Sequence, residues 1–292
     1  MRFATWNLWD LFRGNATAEQ QRQDRIARAV REELQPDVWA VQELIAPAAG
    51  GEDAIGRLAE DTGMVAGPVA RGHQLAPHDL YYWVGLLWSP TVEMMPGSER
   101  DYGDELWHNL VTCTVLVDGV RIKIGSYHGP PFGRRRRADE AERVVSALTR
   151  PRPMLPGILG SDSNGLAGDR VDGQLYDPTD PYAEVDWTDE HVYQTRWSYT
   201  ATGDREWGVD REPGDILWSG GLHDARAVTK TPLVPTAGHV PGDPLPPRLI
   251  DHIRANHAMT PAVTRLDTIT TVDECSDHRP LVAEIDLEQL VA

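Results

Sequence analysis

Residues 3–43 place the tightest constraint on any fold for this chain. Phe3 to Leu8 alternates apolar and polar side chains like a strand and delivers Asn7 near its end. A helix follows: Thr17-x-x-Gln20 has the form of a capping box, and Ile26, Val30 and Leu34 keep one apolar face. Gln35-Pro36 stops it. Val38-Trp39-Ala40-Val41 is then a short buried strand with Gln42-Glu43 at its C-terminal end. Strand, crossover helix and strand make a βαβ unit, whose two strands run parallel, so Asn7 and Glu43 finish side by side.

The remaining pattern supplies more strands than helices. Helices are predicted over Asp53–Asp61, stopped by Gly63, and over Ala138–Leu148, which keeps Ala141, Val144, Val145 and Leu148 on one side. Tyr81–Trp88, Leu110–Val117 and Val120–Tyr127 read as strands, the last two joined by the hairpin turn Asp118-Gly119. The third of these ends at His128-Gly129-Pro130-Pro131. Ile158-Leu159-Gly160 runs into Ser161-Asp162-Ser163-Asn164, and Arg248–Ile253 resumes strand character. Pro261–Thr271 and Leu281–Leu287 flank Ser276-Asp277-His278-Arg279-Pro280 as two alternating stretches. Between Gly165 and Glu212 the pattern loosens, with one helical piece near Asp189–Trp197. Ile216-Leu217-Trp218 is apolar, and Leu222–Ala225 reads as a turn after it. Thr231–Pro247 is a Pro/Gly-rich loop, long enough to be a functional flap or a mobile segment. No repeat and no linker divides the chain, so one domain over residues 1–292 is expected, with a variable loop region at about 165–247.

Composition excludes some functions. A net charge of −17 argues against a protein coated in nucleic acid through a broad basic face, although a metal site can neutralise one phosphate locally. Two cysteines, Cys113 and Cys275, make neither a disulfide framework nor a CxxC metal pair. The start Met1-Arg2-Phe3-Ala4-Thr5 has no apolar signal region, and no run approaches a membrane span, so the expected location is cytoplasmic. No GxxxxGK[ST] loop supports nucleotide-driven phosphoryl transfer.

Five polar clusters stand at strand ends: Asn7, Glu43, His128, Asp162 with Asn164, and Asp251 with Asp277-His278. Carboxylates and amides without thiols suit Mg²⁺ or Mn²⁺ rather than zinc. Two histidines beside such a site suit a reaction that develops charge on a phosphate. Each cluster alone has a bland reading as a turn, a rigid loop or a solvated strand end. Their order does not. Thr5-Trp6-Asn7-Leu8, Gln42-Glu43, Tyr127-His128, Gly160-Ser161-Asp162-Ser163-Asn164, Leu249-Ile250-Asp251 and Ser276-Asp277-His278-Arg279-Pro280 resemble the ordered motifs of the endonuclease/exonuclease/phosphatase (DNase I-like) superfamily.

The resemblance implies a four-layer α/β/β/α sandwich, two mixed β-sheets packed face to face with helices outside. It also implies Mg²⁺- or Mn²⁺-dependent hydrolysis of a phosphoester. By position, Glu43 would be the principal metal ligand, with Asn7 beside it and Asp277 close enough to contribute. Asp162 would orient or deprotonate the attacking water, and Asn164 would bind the phosphate. His278 would hydrogen-bond a phosphate oxygen or act as acid/base, its tautomer fixed by Asp251. His128 would face the leaving group, as in the DNase I branch. That branch supports this histidine with a Glu, for which Asp79 is the nearest acidic candidate here.

Some positions depart from the pattern. Gly160-Ser161-Asp162-Ser163-Asn164 carries one extra small residue, and Leu44-Ile45 follows Gln42-Glu43 where abasic-site enzymes have Thr-Lys. The signature of the inositol phosphatases is absent around Asp277. His128 and the run Arg134, Arg135, Arg136 and Arg137 favour nucleic acid, DNA or RNA, as substrate; the run reads equally as a phosphate clamp or as a solvated basic turn. Trp187, Trp197 and Trp207 are candidates for base stacking, with core packing as their plainer role. The alternative enzyme acts on a small phosphorylated compound or a phospholipid headgroup, and a catalytically silent binding protein is the remaining class.

Overall fold

The structure is a computed structural model that describes residues 1–14, 16–75, 79–150, 153–186 and 194–290. The expected βαβ unit forms at its start. β1 (Arg2–Leu11) and β2 (Val38–Ala46) pair in parallel with Asn7 opposite Gln42, and α1 (Thr17–Ala29) crosses between them. α2 (Gly51–Thr62), β3 (Val65–Leu75) and β4 (Leu80–Trp88) follow. β5 (Glu93–Met94), β6 (Arg100–Asp101), β7 (Leu110–Val117) and β8 (Val120–His128) lead into α3 (Arg134–Thr149) and β9 (Gly157–Asp162). Two small hairpins come next, β10 (Arg170–Val171) with β11 (Gln174–Leu175), and β12 (Thr195–Tyr199) with β13 (Arg205–Val209). The chain closes with α4 (Glu212–Ser219), β14 (Leu222–Asp224), α5 (Ala225–Thr229), β15 (Asp251–Asn256), β16 (Val263–Thr268) and β17 (Leu281–Ile285).

Two mixed sheets carry the fold. The first has the order β16-β17-β1-β2-β4-β3, the second β14-β15-β9-β8-β7-β5 with β6 on β7. Each has one parallel pair, β1–β2 and β8–β9, among antiparallel neighbours. Alternate residues of the same strand face different layers. Phe3, Val38 and Leu86 meet Cys113, Ile124, Ile158 and Ile253 between the sheets. Trp6, Leu8 and Trp39 pack outward on Ile26, Leu34, Ile55 and Leu58 of the flanking helical segments. On the far side Tyr127 and Leu159 pack on Val144 and Leu148 of α3 and Leu217 of α4. Helices, sheet, sheet and helices thus form four layers, as the sequence motifs imply. Ile124 is fully buried between the sheets, and its truncation to Ala is expected to cost roughly 2–5 kcal/mol. Both cysteines are buried and free.

Several local expectations need correction. The N-cap of α1 is Ala16 with no side-chain cap bond, so Thr17-x-x-Gln20 is not a working capping box. The helix ends in a π turn, Val30–Leu34, and Gln35 adopts a left-handed φ of 42°. β3 escapes detection from the sequence because Gly67, Pro68 and Gly72 punctuate it. α3 begins at Arg134, so the arginine run is its first turn. Leu222–Ala225 is a strand leading into a helix rather than a turn. Of the helical piece near Asp189–Trp197, residues 189–193 lie outside the described residues and Thr195–Tyr199 is a strand. Trp187 also lies outside the described residues. The 231–247 loop is stitched down: Thr236 and Ala237 N–H donate to Arg248 O, and Arg279 N–H donates to Thr236 O. Among the described residues no helix is long and apolar enough to cross a membrane.

Candidate active site

Register brings the polar strand ends together. In the second sheet His128 lies opposite Asp162 across the parallel pair, and Asp251 lies opposite Asp162 across β15–β9. In-register neighbours share a face, so a histidine and two carboxylates stand in a row. The first sheet reaches the same place closely. A Cβ on Gly160 would sit 2.6 Å from Thr5 Cβ and 2.7 Å from Ala40 Cβ, so only glycine lets the sheets meet beneath the site.

Glu43 is aimed by a bulge. Between the Asn7–Gln42 and Leu11–Leu44 pairs the register shifts. Trp9, Asp10 and Glu43 take left-handed φ values of 48°, 54° and 61°. Such conformations cost of order 1–3 kcal/mol each and persist where hydrogen bonds over-determine them. Here Trp9 N–H donates to Asn7 Oδ1 at 3.0 Å and Asp10 N–H donates to Glu43 Oε2 at 3.0 Å. The strain thus fixes two site side chains.

Asp162 is the hub. Asn7 Nδ2 donates to both Asp162 Oδ2 and Glu43 Oε1, each at 2.9 Å, and so ties one carboxylate from each sheet. His128 Nε2 stands 3.4 Å from the same Asp162 oxygen and 3.8 Å from Glu43 Oε1. His278 Nε2 stands 3.8 Å from it, while His278 Nδ1 donates to Asp251 Oδ2 at 2.8 Å. The carboxylate therefore holds the hydrogen on Nδ1, and the charged ring, protonated at both nitrogens, also presents Nε2–H to Asp162. Ser276 Oγ locks this loop, donating to Asn7 O at 2.8 Å and accepting from His278 N–H at 3.1 Å.

Burial and charge set the protonation states. Burial, then the carboxylates of Asp277 and Asp10, push Glu43 up to about 8. Burial also raises Asp277, with His278 opposing. Burial alone would lower His278, but Asp251, Asp162 and Asp277 outweigh it and hold it well above the usual imidazole range. Burial and the neighbouring His278 hold His128 down to about 3.

This cluster fits a hard divalent cation. Glu43 and Asp277 are oxygen donors crowded into low dielectric, with His278 only partly offsetting their burial and mutual repulsion, and a metal ion would relieve both. Asp251 Oδ1 is buried with no hydrogen-bond partner, a further sign of an unsatisfied acidic site. Among the described residues two compact ligand groups occur, Glu43-His128-Asp162 and Asp162-Asp251-His278, and Asp277 belongs to neither.

Other expectations change. Asn7 turns its amide nitrogen toward the carboxylates of Glu43 and Asp162 while its oxygen accepts from Trp9 N–H. Both ends of the Asn164 amide are engaged, with Nδ2 donating to Gly129 O and Oδ1 accepting from Gln194 Nε2. These bonds brace the loop and leave one Nδ2 hydrogen uncommitted. Asp79 is exposed and does not support His128, whose Nδ1 is buried without a partner. In its place the ring of His108 stacks on His128, centroids 4.1 Å apart and planes at 12°. The four-arginine run is divided. Arg137 is buried in an ion pair with Asp210 at 2.8 Å and cannot reach a phosphate, while Arg134, paired at the surface with Glu212 at 2.8 Å, stays exposed with Arg135 and Arg136. Asp10, Ser276, Gln194 and His108 are site residues not singled out from the sequence. Ser276 and Asp10 lie within three residues of motif positions, a usable signal; Gln194 and His108 carried none.

No protein-family model matches the sequence, and no curated protein matches it either. Solved structures do. An endonuclease/exonuclease/phosphatase family protein from Leptotrichia buccalis C-1013-b superposes with a TM-score of 0.63 at 16% identity, covering 98% of this chain and 99% of that one. The fold is that of the endonuclease/exonuclease/phosphatase proteins. Two others with this fold differ in substrate. The mannosyl-6-phosphatase of Bacteroides thetaiotaomicron VPI-5482 has a TM-score of 0.61 at 14% identity, covering 98% and 99% of the two chains. A Neisseria 3′ phosphatase bound to a product DNA hairpin has a TM-score of 0.58 at 19% identity, again covering 98% and 99%. Within the endonuclease/exonuclease/phosphatase fold, the sheet ends that carry Glu43, Asp162 and His278 supply the acidic and imidazole groups described above.

Proposed function

We propose that this protein hydrolyses phosphoester bonds with the help of Mg²⁺ or Mn²⁺, and that its substrate is nucleic acid. The observation that carries the reading is the hub at Asp162, whose Oδ2 faces Asn7, His128 and His278 from separate elements beside the buried Glu43. A metal held by Glu43 and Asp277 would supply Lewis-acid charge to a phosphate oxygen. The remaining work falls to side chains. Asp162, oriented by Asn7 and by the Asn164 N–H at 2.9 Å, takes the proton of an attacking water. Phosphorus gains that oxygen as the bond to the departing oxygen breaks. His278, kept charged by Asp251, donates Nε2–H to the phosphate where negative charge develops. His128, neutral, offers a single hydrogen bond from the opposite side.

The DNA-bound Neisseria relative supports nucleic acid. A small phosphate ester is the second reading, favoured by the sugar-phosphatase relative and by the charge of −17. Purified protein incubated with plasmid, RNA, a chromogenic phosphodiester and a sugar phosphate, each with and without EDTA, separates them. EDTA-sensitive cutting of polynucleotide is expected. Turnover of the small esters alone replaces the first reading with the second, and inactivity toward all four rejects both.

A further inference from the structure

We propose that His73, Trp107, Phe132 and Arg136 form a stacking site for a nucleobase of the substrate strand, on the His128 side of the reaction centre. The inference rests on the nucleic-acid reading above and names how such a strand is held.

The four side chains come from three stretches, β3, the loop before β7 and the start of α3, and meet at one surface. His73, from β3, stacks on the Trp107 ring with centroids 4.2 Å apart and planes at 22°. Phe132, just beyond the His128-Gly-Pro-Pro turn, meets Trp107 edge to face at 5.3 Å and 71°. The Arg136 guanidinium lies 4.8 Å from the Trp107 centroid. His73 is exposed and Phe132 is 39% exposed, so burial does not account for the cluster. It adjoins the reaction centre through two ring contacts, Trp107 to His108 at 6.3 Å and His108 to His128 at 4.1 Å.

The platform is held rigidly from behind. Trp107 N–H donates to the buried Glu140 carboxyl at 2.8 Å. Asn109 Nδ2 donates to Arg71 O at 2.8 Å, fastening the loop to β3. Gly72 permits the closest approach, since a Cβ there would lie 2.6 Å from His108 O. A preorganised aromatic surface loses little side-chain freedom when a flat ring lands on it. Every base has a π face, and Arg136, with its charge at the edge of the surface, suits the phosphate next to that base.

The test uses the full chain with two single-stranded oligonucleotides of equal length, one normal and one wholly abasic. Phe132→Ala and His73→Ala are combined, with circular dichroism to check the fold. The double variant should raise KM for the normal strand about ten-fold, the size of one lost base–aromatic contact. KM for the abasic strand should stay within about two-fold, and Phe132→Tyr with His73→Trp should restore the normal KM. Equal effects on both strands, or no effect on either, overturn the stacking site while the wild-type cutting still supports the nucleic-acid reading. A wild type that cuts neither strand yet hydrolyses a sugar phosphate rejects that reading, and the stacking site with it.

Discussion

The two histidines that face Asp162 sit in opposite surroundings. His278 comes from a loop between strands of the first sheet, donates to Asp251 at 2.8 Å and feels three carboxylates. His128 ends a strand of the second sheet, has no partner at Nδ1 and rests flat on another imidazole. One ring is held charged by its neighbours and the other is held neutral by burial. In the proposed reaction the same residue type would perform two tasks, a charged hydrogen bond to the phosphate from His278 and a neutral one from His128. What separates them is the presence or absence of a carboxylate behind the ring.

The sharpest way to break this contrast is to remove the carboxylate. Asp251→Asn should lower kcat by roughly 10²–10⁴, as expected for losing a charged acid/base partner, and His278→Ala should do the same. Near-normal turnover in either would erase the distinction.

The pH dependence of stability in chelated protein should be the next largest effect, with opposite signs for the two rings. His278 is raised above its ordinary 6.5, so its contribution is full below that pH and is lost as pH rises through the raised value. His128 is lowered from 6.5 to about 3, so its contribution is full above 6.5 and is lost as pH falls toward 3. The acid-side loss is on the order of 3–5 kcal/mol. Denaturant melts of His128→Gln and His278→Gln should each flatten one limb and leave the other; a shared change in both limbs contradicts the separation.

A smaller effect belongs to the region behind His128. Burial raises Glu140 to about 7, so its ionisation costs stability as pH rises from the ordinary carboxylate range through neutrality. Glu140→Gln keeps an acceptor for Trp107 N–H and should stabilise the protein at pH 8 by roughly 1–3 kcal/mol while leaving pH 5 unchanged. Thermal melts at the two pH values decide it. The smallest expected change is at the stacked ring: His108→Phe keeps the packing surface and should alter kcat by less than about three-fold, whereas His108→Ala should lower it about ten-fold. Equal kinetics for the two variants would deny His108 a positioning role.

How much of this was legible follows from what sequence patterns record. The βαβ start with its parallel pair and the order of motifs were readable because apolar runs and polar strand ends are local features. Glu43, Asp162, Asp251 and His278 could be singled out for that reason. The bulge that aims Glu43 was not readable, since left-handed Trp9 and Asp10 donate their N–H groups to the neighbouring Asn7 side chain and to Glu43 on another strand, and no pattern marks either. Arg137 looked like its three neighbours in the sequence, and only the position of Asp210, far along the chain, buries it. β3 carried glycines and a proline that spoil alternation, yet those glycines admit Trp88 and the His108 backbone. Gln194 braces Asn164 from a stretch that reads as helical in the sequence but runs into the strand Thr195–Tyr199.

The account depends most on a divalent cation gripped at Glu43. Calorimetric titration of Mn²⁺ into wild-type protein and into Glu43→Gln, at pH 8, tests this directly. The wild type is predicted to bind Mn²⁺ and the variant to lose at least ten-fold in affinity. Equal affinity in both proteins, or no binding by the wild type, would contradict the claim.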